Sequence, residues 1–348
     1  MARFGRTLIV LAAFVPAAAL GALSVSGASP ATLPIAAASA DPELTAAEAL
    51  IRHNKFADAK AKLSTYLSKH PGNPAAEALL GVADTDLDDA AGAIAAFDAA
   101  GPIPNRFRLV VAKAYVDAAV DALKVKNSAG AVALAGKSLE LQVSVNALFV
   151  RGTAYANDQK YAAAIADLER AKALATAGHA NAATLNAIDG SLATSYLFGG
   201  RMGDGLALAA AVRKRDPQNA RIDDALAAYY NQQAVAALHA GNTNEAVAEL
   251  ERAAVAVPSR AVALYAQAAS ALSQASPVDW AAVKAEADKA LALDPSDARA
   301  NYIAGIALAN GGDKTGAITY LRKAKLSAGT DATLNADIDA ALRGLGAS

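Results

Sequence analysis

Apolar positions along this chain recur at helical spacing, in paired stretches separated by short polar turns. The segment Asn301–Leu326, NYIAGIALANGGDKTGAITYLRKAKL, shows one such unit: an amphipathic helix, a break at Gly311-Gly312, then a second helix. Its core-facing positions include three small residues, Gly305, Ala317 and Ala324. Leu148–Leu174 repeats the pattern, with Gly152, Ala164, Leu168 and Ala171 at the offsets of Gly305, Ala317, Leu321 and Ala324. A third copy has Gly81, Ala93, Phe97 and Ala100.

These offsets suit an antiparallel helix pair. Gly152 on the first helix faces Ala164 on the second near their crossing. Packed axes lie about 8–10 Å apart, and small contact residues allow the near end of that range. The large residue four positions on, Leu168, shares the face and fills the wedge. Ala171, a further three on, lets the next pair approach. Prolines mark the same period. Pro71, Pro217, Pro258 and Pro295 each fall twelve residues after a second-helix contact residue (Ala59, Gly205, Ala246, Val283). Proline cannot continue a helix, so it closes the second helix there. In PGN, PQN and PSD the Asn or Asp two residues later favours a new helix start.

This 34-residue helix–turn–helix unit resembles the tetratricopeptide repeat (TPR) family, in its exported bacterial type. The resemblance rests on Leu80-Gly81, Gly152 with Tyr155, Leu192-Ala193 with Tyr196, the alanines 164, 246 and 317, and the four prolines. It implies an all-α, right-handed α-solenoid of about eight repeats, near 40–73, 74–107, 112–145, 145–178, 186–219, 227–260, 264–297 and 298–331. A capping helix follows at 332–345, so the solenoid fills 41–348. The family's aromatic near the start of the first helix is mostly missing, and Val283 and Ala287 depart from the seventh unit's pattern. Extra residues at His179–Leu185 and Ala220–Leu226 predict longer first helices. Pro102-Ile103-Pro104 predicts a kink between the second and third units.

Residues 1–40 read differently. Arg3 and Arg6 precede a largely apolar run at 7–25, and no acid appears before Asp41. That is the pattern of a signal peptide, with cleavage sites at Ser26-Gly27-Ala28 or Ala38-Ser39-Ala40, followed by an Ala/Pro-rich linker. The alternative is an uncleaved N-terminal anchor, and 7–25 would then make the only membrane contact. Either way the remainder is expected outside the cytoplasm: periplasmic or extracellular, or anchored facing away from it.

Composition agrees with helices and narrows the chemistry. Alanine, the best helix former, makes up about a quarter of the 348 residues, and aromatics only 5%. The net charge of −1 gives no basic footprint for nucleic acid. The absence of cysteine excludes disulfides, thiolate metal sites and thiol catalysis. The four histidines (53, 70, 179, 239) lack metal-ligand spacing. DTDLDD at Asp84–Asp89 starts like a calcium loop but has Asp89 for the turn glycine and Ala95 for the closing glutamate. GGRMGDG at Gly199 and GGDKTG at Gly311 lack a phosphate-loop context, and the paired acids Glu249/Glu251 read as solvated. No enzyme, cofactor or metal site is expected.

The resemblance implies that the first helices line a concave groove. Its candidate binding residues are Asn146, Phe149, Thr153 and Asn157 in the fourth unit, and Leu197 and Phe198 in the fifth. Asn231 and His239 follow in the sixth, Tyr265 in the seventh, and Arg299, Tyr302 and Asn310 in the last. Amides can donate and accept along an extended peptide, and rings supply rigid contact area. The expected function is a non-enzymatic scaffold holding a protein or peptide, in cell-envelope assembly or secretion. The alternative is a carbohydrate- or small-ligand-binding module linked to polysaccharide export.

Overall fold

A computed structural model describes residues 41–217 and 219–347. The expected signal or anchor at 1–40, with its apolar run at 7–25, lies outside the described residues. Among those described there is no strand, and no helix is long and apolar enough to cross a membrane. The helices fall into two compact units. The first holds α1 (Pro42–Arg52), α2 (Phe56–Lys69), α3 (Pro74–Asp86), α4 (Ala90–Ala100), α5 (Arg108–Lys124), α6 (Ser128–Leu141), α7 (Val145–Asn157), α8 (Tyr161–Ala177), α9 (Ala182–Phe198) and α10 (Met202–Arg215). The second holds α11 (Ala220–His239), α12 (Thr243–Ala256), α13 (Ala261–Leu272), α14 (Trp280–Leu293), α15 (Ala298–Asn310), α16 (Lys314–Ser327) and α17 (Ala332–Gly344).

Within each unit every helix packs on the next in sequence, so each is a run of α-solenoid built from antiparallel pairs. The contact inside a pair follows from missing atoms. A Cβ at Gly152 would lie 2.8 Å from Leu168 Cγ and 3.3 Å from the Ala164 carbonyl oxygen. At Gly305 it would meet Leu321 Cγ at 2.8 Å, and at Gly81 the Phe97 ring at 2.7 Å. Leu168 and Leu321 are fully buried there, so the large side chain of one helix occupies the space its partner leaves empty. The fifth pair reverses the roles. Gly205 lies on the second helix, and Leu197 of α9 sits 2.7 Å from where its Cβ would be. The seventh pair closes with Val283 and Ala287, both fully buried against α13.

Turn chemistry fixes the ends. In seven of the eight pairs the turn between first and second helix holds one residue with φ between 56° and 92°: Asn54, Asp88, Lys126, Gln159, Gly200, Gly241 and Gly312. Second helices α2, α10, α12 and α14 each stop two residues before their proline. Asn73, Asn219 and Asp297 then cap α3, α11 and α15, each accepting from a backbone N–H inside the first turn.

The insertions resolve in different ways. Residues 220–226 all join α11, the longest helix described, whereas 178–181 form a turn and only 182–185 extend α9. After Gly101 an irregular link leads into a short 3-10 turn, Asn105–Phe107, whose Phe107 is buried, and α5 starts at once. In the second unit α17 lays Ile338, fully buried, against Leu321 and Ala324 of α16.

Candidate functional site

Helix spacing differs between the two sides of each unit. First helices touch their like in the next pair: α1–α3, α3–α5, α5–α7 and α7–α9 in one unit, α13–α15 and α15–α17 in the other. Among the described residues no pair of second helices is comparably close. First helices therefore crowd the inner side of each unit and second helices are spread around the outer side. A side chain pointing inward either reaches solvent or is pinched by the neighbouring first helix.

That division corrects the expected groove. Phe149 is completely buried and Thr153 is 7% exposed, because α7 is flanked by α5 on one side and α9 on the other. Leu197 is also buried, being the residue that fills the space over Gly205. These three are packing residues, not binding residues. Asn146 is half-buried on α7, and Asn157 is exposed at its end. Phe198 is half-buried, its ring stacked on Tyr161 at 6.0 Å between centroids.

In the second unit Asn231 and Tyr265 are half-buried, and Lys289 Nζ lies 5.8 Å from the Tyr265 ring centre. Tyr302 is half-buried against α16 and α17, and burial together with the nearby Asp337 carboxylate pushes its hydroxyl up to about 12. His239, Arg299 and Asn310 are exposed. Of the expected binding residues, the exposed ones are thus Asn157 in the first unit, and His239, Arg299 and Asn310 in the second, while the aromatic rings are half-buried or buried.

The outer side carries features the sequence reading missed. A depression of about 460 Å³ lies between α8 and α10 over α9, with Leu192, Tyr196 and Leu208 among its lining residues. On its rim Glu169 accepts from Tyr196 Oη at 2.6 Å and from Arg201 Nη1 at 3.0 Å, and the Arg201 guanidinium lies 4.2 Å from the Tyr196 ring centre. Burial first, then that hydrogen bond, pushes the Tyr196 hydroxyl up to about 12. Beneath, the buried Asp189 carboxylate is paired with Lys172 at 2.8 Å and with Arg215 at 2.5 Å. Asp167, also buried, takes both donors of Arg151 at 2.7 and 2.8 Å. Glu249 is 9% exposed, which corrects its reading as a solvated acid.

The loop motifs serve the fold. Asp84 and Asp89 of DTDLDD both pair with Lys60, at 2.7 and 2.9 Å, and Asp89 caps α4 through Gly92 N. In GGDKTG, Asp313 caps α16 through Gly316 N. Among the described residues no three His, Cys, Asp or Glu side chains are placed to hold a metal ion.

Residues 44–106 and 279–332 match the sequence model of the tetratricopeptide repeat. These two stretches are tetratricopeptide repeats. No curated protein sequence matches this chain. Solved structures similar to it include yeast Tom70, 16% identical, covering 91% of this chain and 66% of that one, with a TM-score of 0.35. The TPR domain of P58(IPK) is 14% identical, covering 87% of this chain and 97% of its own, with a TM-score of 0.35. A tetratricopeptide repeat protein from Parabacteroides merdae is 12% identical, with 86% and 97% covered and a TM-score of 0.31.

Burial separates packing residues from candidate binding residues by experiment. Phe149→Ala is expected to cost about 3–5 kcal/mol of stability in urea unfolding, as for a fully buried aromatic. Asn157→Ala, Arg299→Ala and Asn310→Ala are each expected to stay within about 0.5 kcal/mol of wild type. A near-neutral Phe149→Ala would mean that α7 is not flanked as described.

Proposed function

We propose that this chain is a non-enzymatic scaffold that holds a protein or extended peptide along the inner side of its first helices. The observation that carries the reading is the adjacency of those helices. Because successive first helices touch in much of each unit, polar side chains left open on them, such as Arg299 and Asn310 of α15, share one side with those of neighbouring repeats. An extended partner can then be read at several repeats by amides that both donate and accept, with Arg299 supplying a fixed positive charge. Rigid helices lower the ordering cost of such binding, since only the partner has to be immobilised.

The proposed setting is the cell envelope, in assembly or secretion, with the chain periplasmic or extracellular, or held by an anchor at 7–25. Support comes from Arg3 and Arg6 ahead of the apolar run and from the lack of any acid before Asp41.

Photo-crosslinkers placed in living cells at Asn157 and Asn310 on first helices, and at Arg170 and Thr319 on second helices, test the binding side. The same discrete adducts are expected from the first pair and none from the second. Adducts confined to the second-helix positions would contradict the reading. Fusing residues 1–45 to alkaline phosphatase tests export. Activity is expected only with Arg3, Arg6 and the apolar run intact, and an inactive fusion would remove the envelope setting.

A further inference from the structure

The neighbouring second helices α12 and α14 carry more carboxylates than cations. Glu249 on α12 and Glu286 on α14 are only 9% and 7% exposed. Arg252, one turn beyond Glu249, donates to it and lies 3.6 Å from Glu245. Lys289, one turn beyond Glu286, donates to it at 2.6 Å and also reaches across to Glu251 on α12. Lys289 therefore ties together two second helices that are not themselves closely packed.

The groups facing Glu249 are Tyr229 and Tyr230 from α11, and Glu245 and Arg252 from its own helix. Those facing Glu286 are Glu251 from α12 and Lys289 from its own helix, with Tyr265 of α13 beneath the lysine. Four carboxylates thus share two cations.

We propose that this cluster is a proton-operated clasp: when Glu249 and Glu286 each take one proton from solvent, α12 and α14 bind each other more firmly. The charge balance gives the reason. Protonation removes the two buried negative charges and leaves each cation a more exposed partner, Arg252 with Glu245 and Lys289 with Glu251. The cluster passes from two excess negative charges to none.

Burial is the first cause raising both carboxyls above the usual glutamate value, opposed by Arg252 and Lys289 and reinforced by Glu245 and Glu251. A carboxyl with a raised folded value binds its proton before the unfolded chain does. Its contribution to stability therefore grows as pH falls from neutral through the raised value, and is complete below the usual carboxylate range.

Hydrogen exchange on the full chain at about pH 7 and about pH 5, corrected for the chemical exchange rate, reads the clasp directly. In wild type, amides of α12 and α14 are expected to be several-fold better protected at the lower pH. Glu249→Gln/Glu286→Gln is expected to show that acid-state protection already at neutral pH, and no further gain on acidification. Lys289→Met, which removes the bridge from α14 to Glu251, is expected to weaken the wild-type dependence. The proposal is overturned if the double glutamine variant is less protected than wild type at neutral pH. It is overturned equally if that variant keeps the pH response, or if Lys289→Met leaves the wild-type response undiminished.

Discussion

The structure depends on one contact: a large side chain of one helix seated over a position in its partner that has no Cβ. Leu168 over Gly152, Leu321 over Gly305, Phe97 over Gly81 and Leu197 over Gly205 are four instances of it. The contact explains how a chain with so few aromatics holds paired helices together. Close approach replaces bulk, and dispersion between well-fitted atoms accumulates where large apolar surfaces are scarce. It also confines each pair's stability to itself and its neighbours, because no central core unites the helices. The fully buried Ile338 of α17 belongs to the same logic, since it covers Leu321 and Ala324 of α16.

Much of this was legible in the sequence because it is local. The small–large spacing, the prolines two residues past the second helices and the Asn or Asp caps each act within a few residues of where they stand. The reversal in the fifth pair was less visible. A spacing rule records where large and small residues fall, but not which of two facing helices carries the large one. Residues 179–185 show a similar limit: length alone could not divide the extra residues between a turn and a longer α9.

The inner-face residues were harder to read for a physical reason. Whether Phe149 or Thr153 meets solvent depends on how close α5 and α9 come to α7, a distance between repeats that no single repeat encodes. The ion pairs were hidden for the same reason. Asp189 meets Lys172 from the preceding pair and Arg215 from its own second helix, and nothing in the local sequence Ala183–Asp189 marks it as buried. The asymmetry they reinforce bears on function. The inner side is set by packing between neighbouring first helices. The outer side is wide and bridged by side chains such as Arg201 to Glu169 and Lys289 to Glu251, which respond to salt and pH where packed helices do not.

The most direct measurement is a double-mutant cycle on Gly152→Val and Leu168→Ala, followed by urea unfolding. Gly152→Val alone should cost about 1–3 kcal/mol by overpacking, and Leu168→Ala alone about 2–5 kcal/mol by leaving a cavity. If the leucine occupies the space the glycine leaves, valine partly refills that cavity. The double variant should then lose less than the two single losses combined, by about 1 kcal/mol or more. Strictly additive losses would show that the two positions do not meet, and would contradict the account of what holds the helix pairs together.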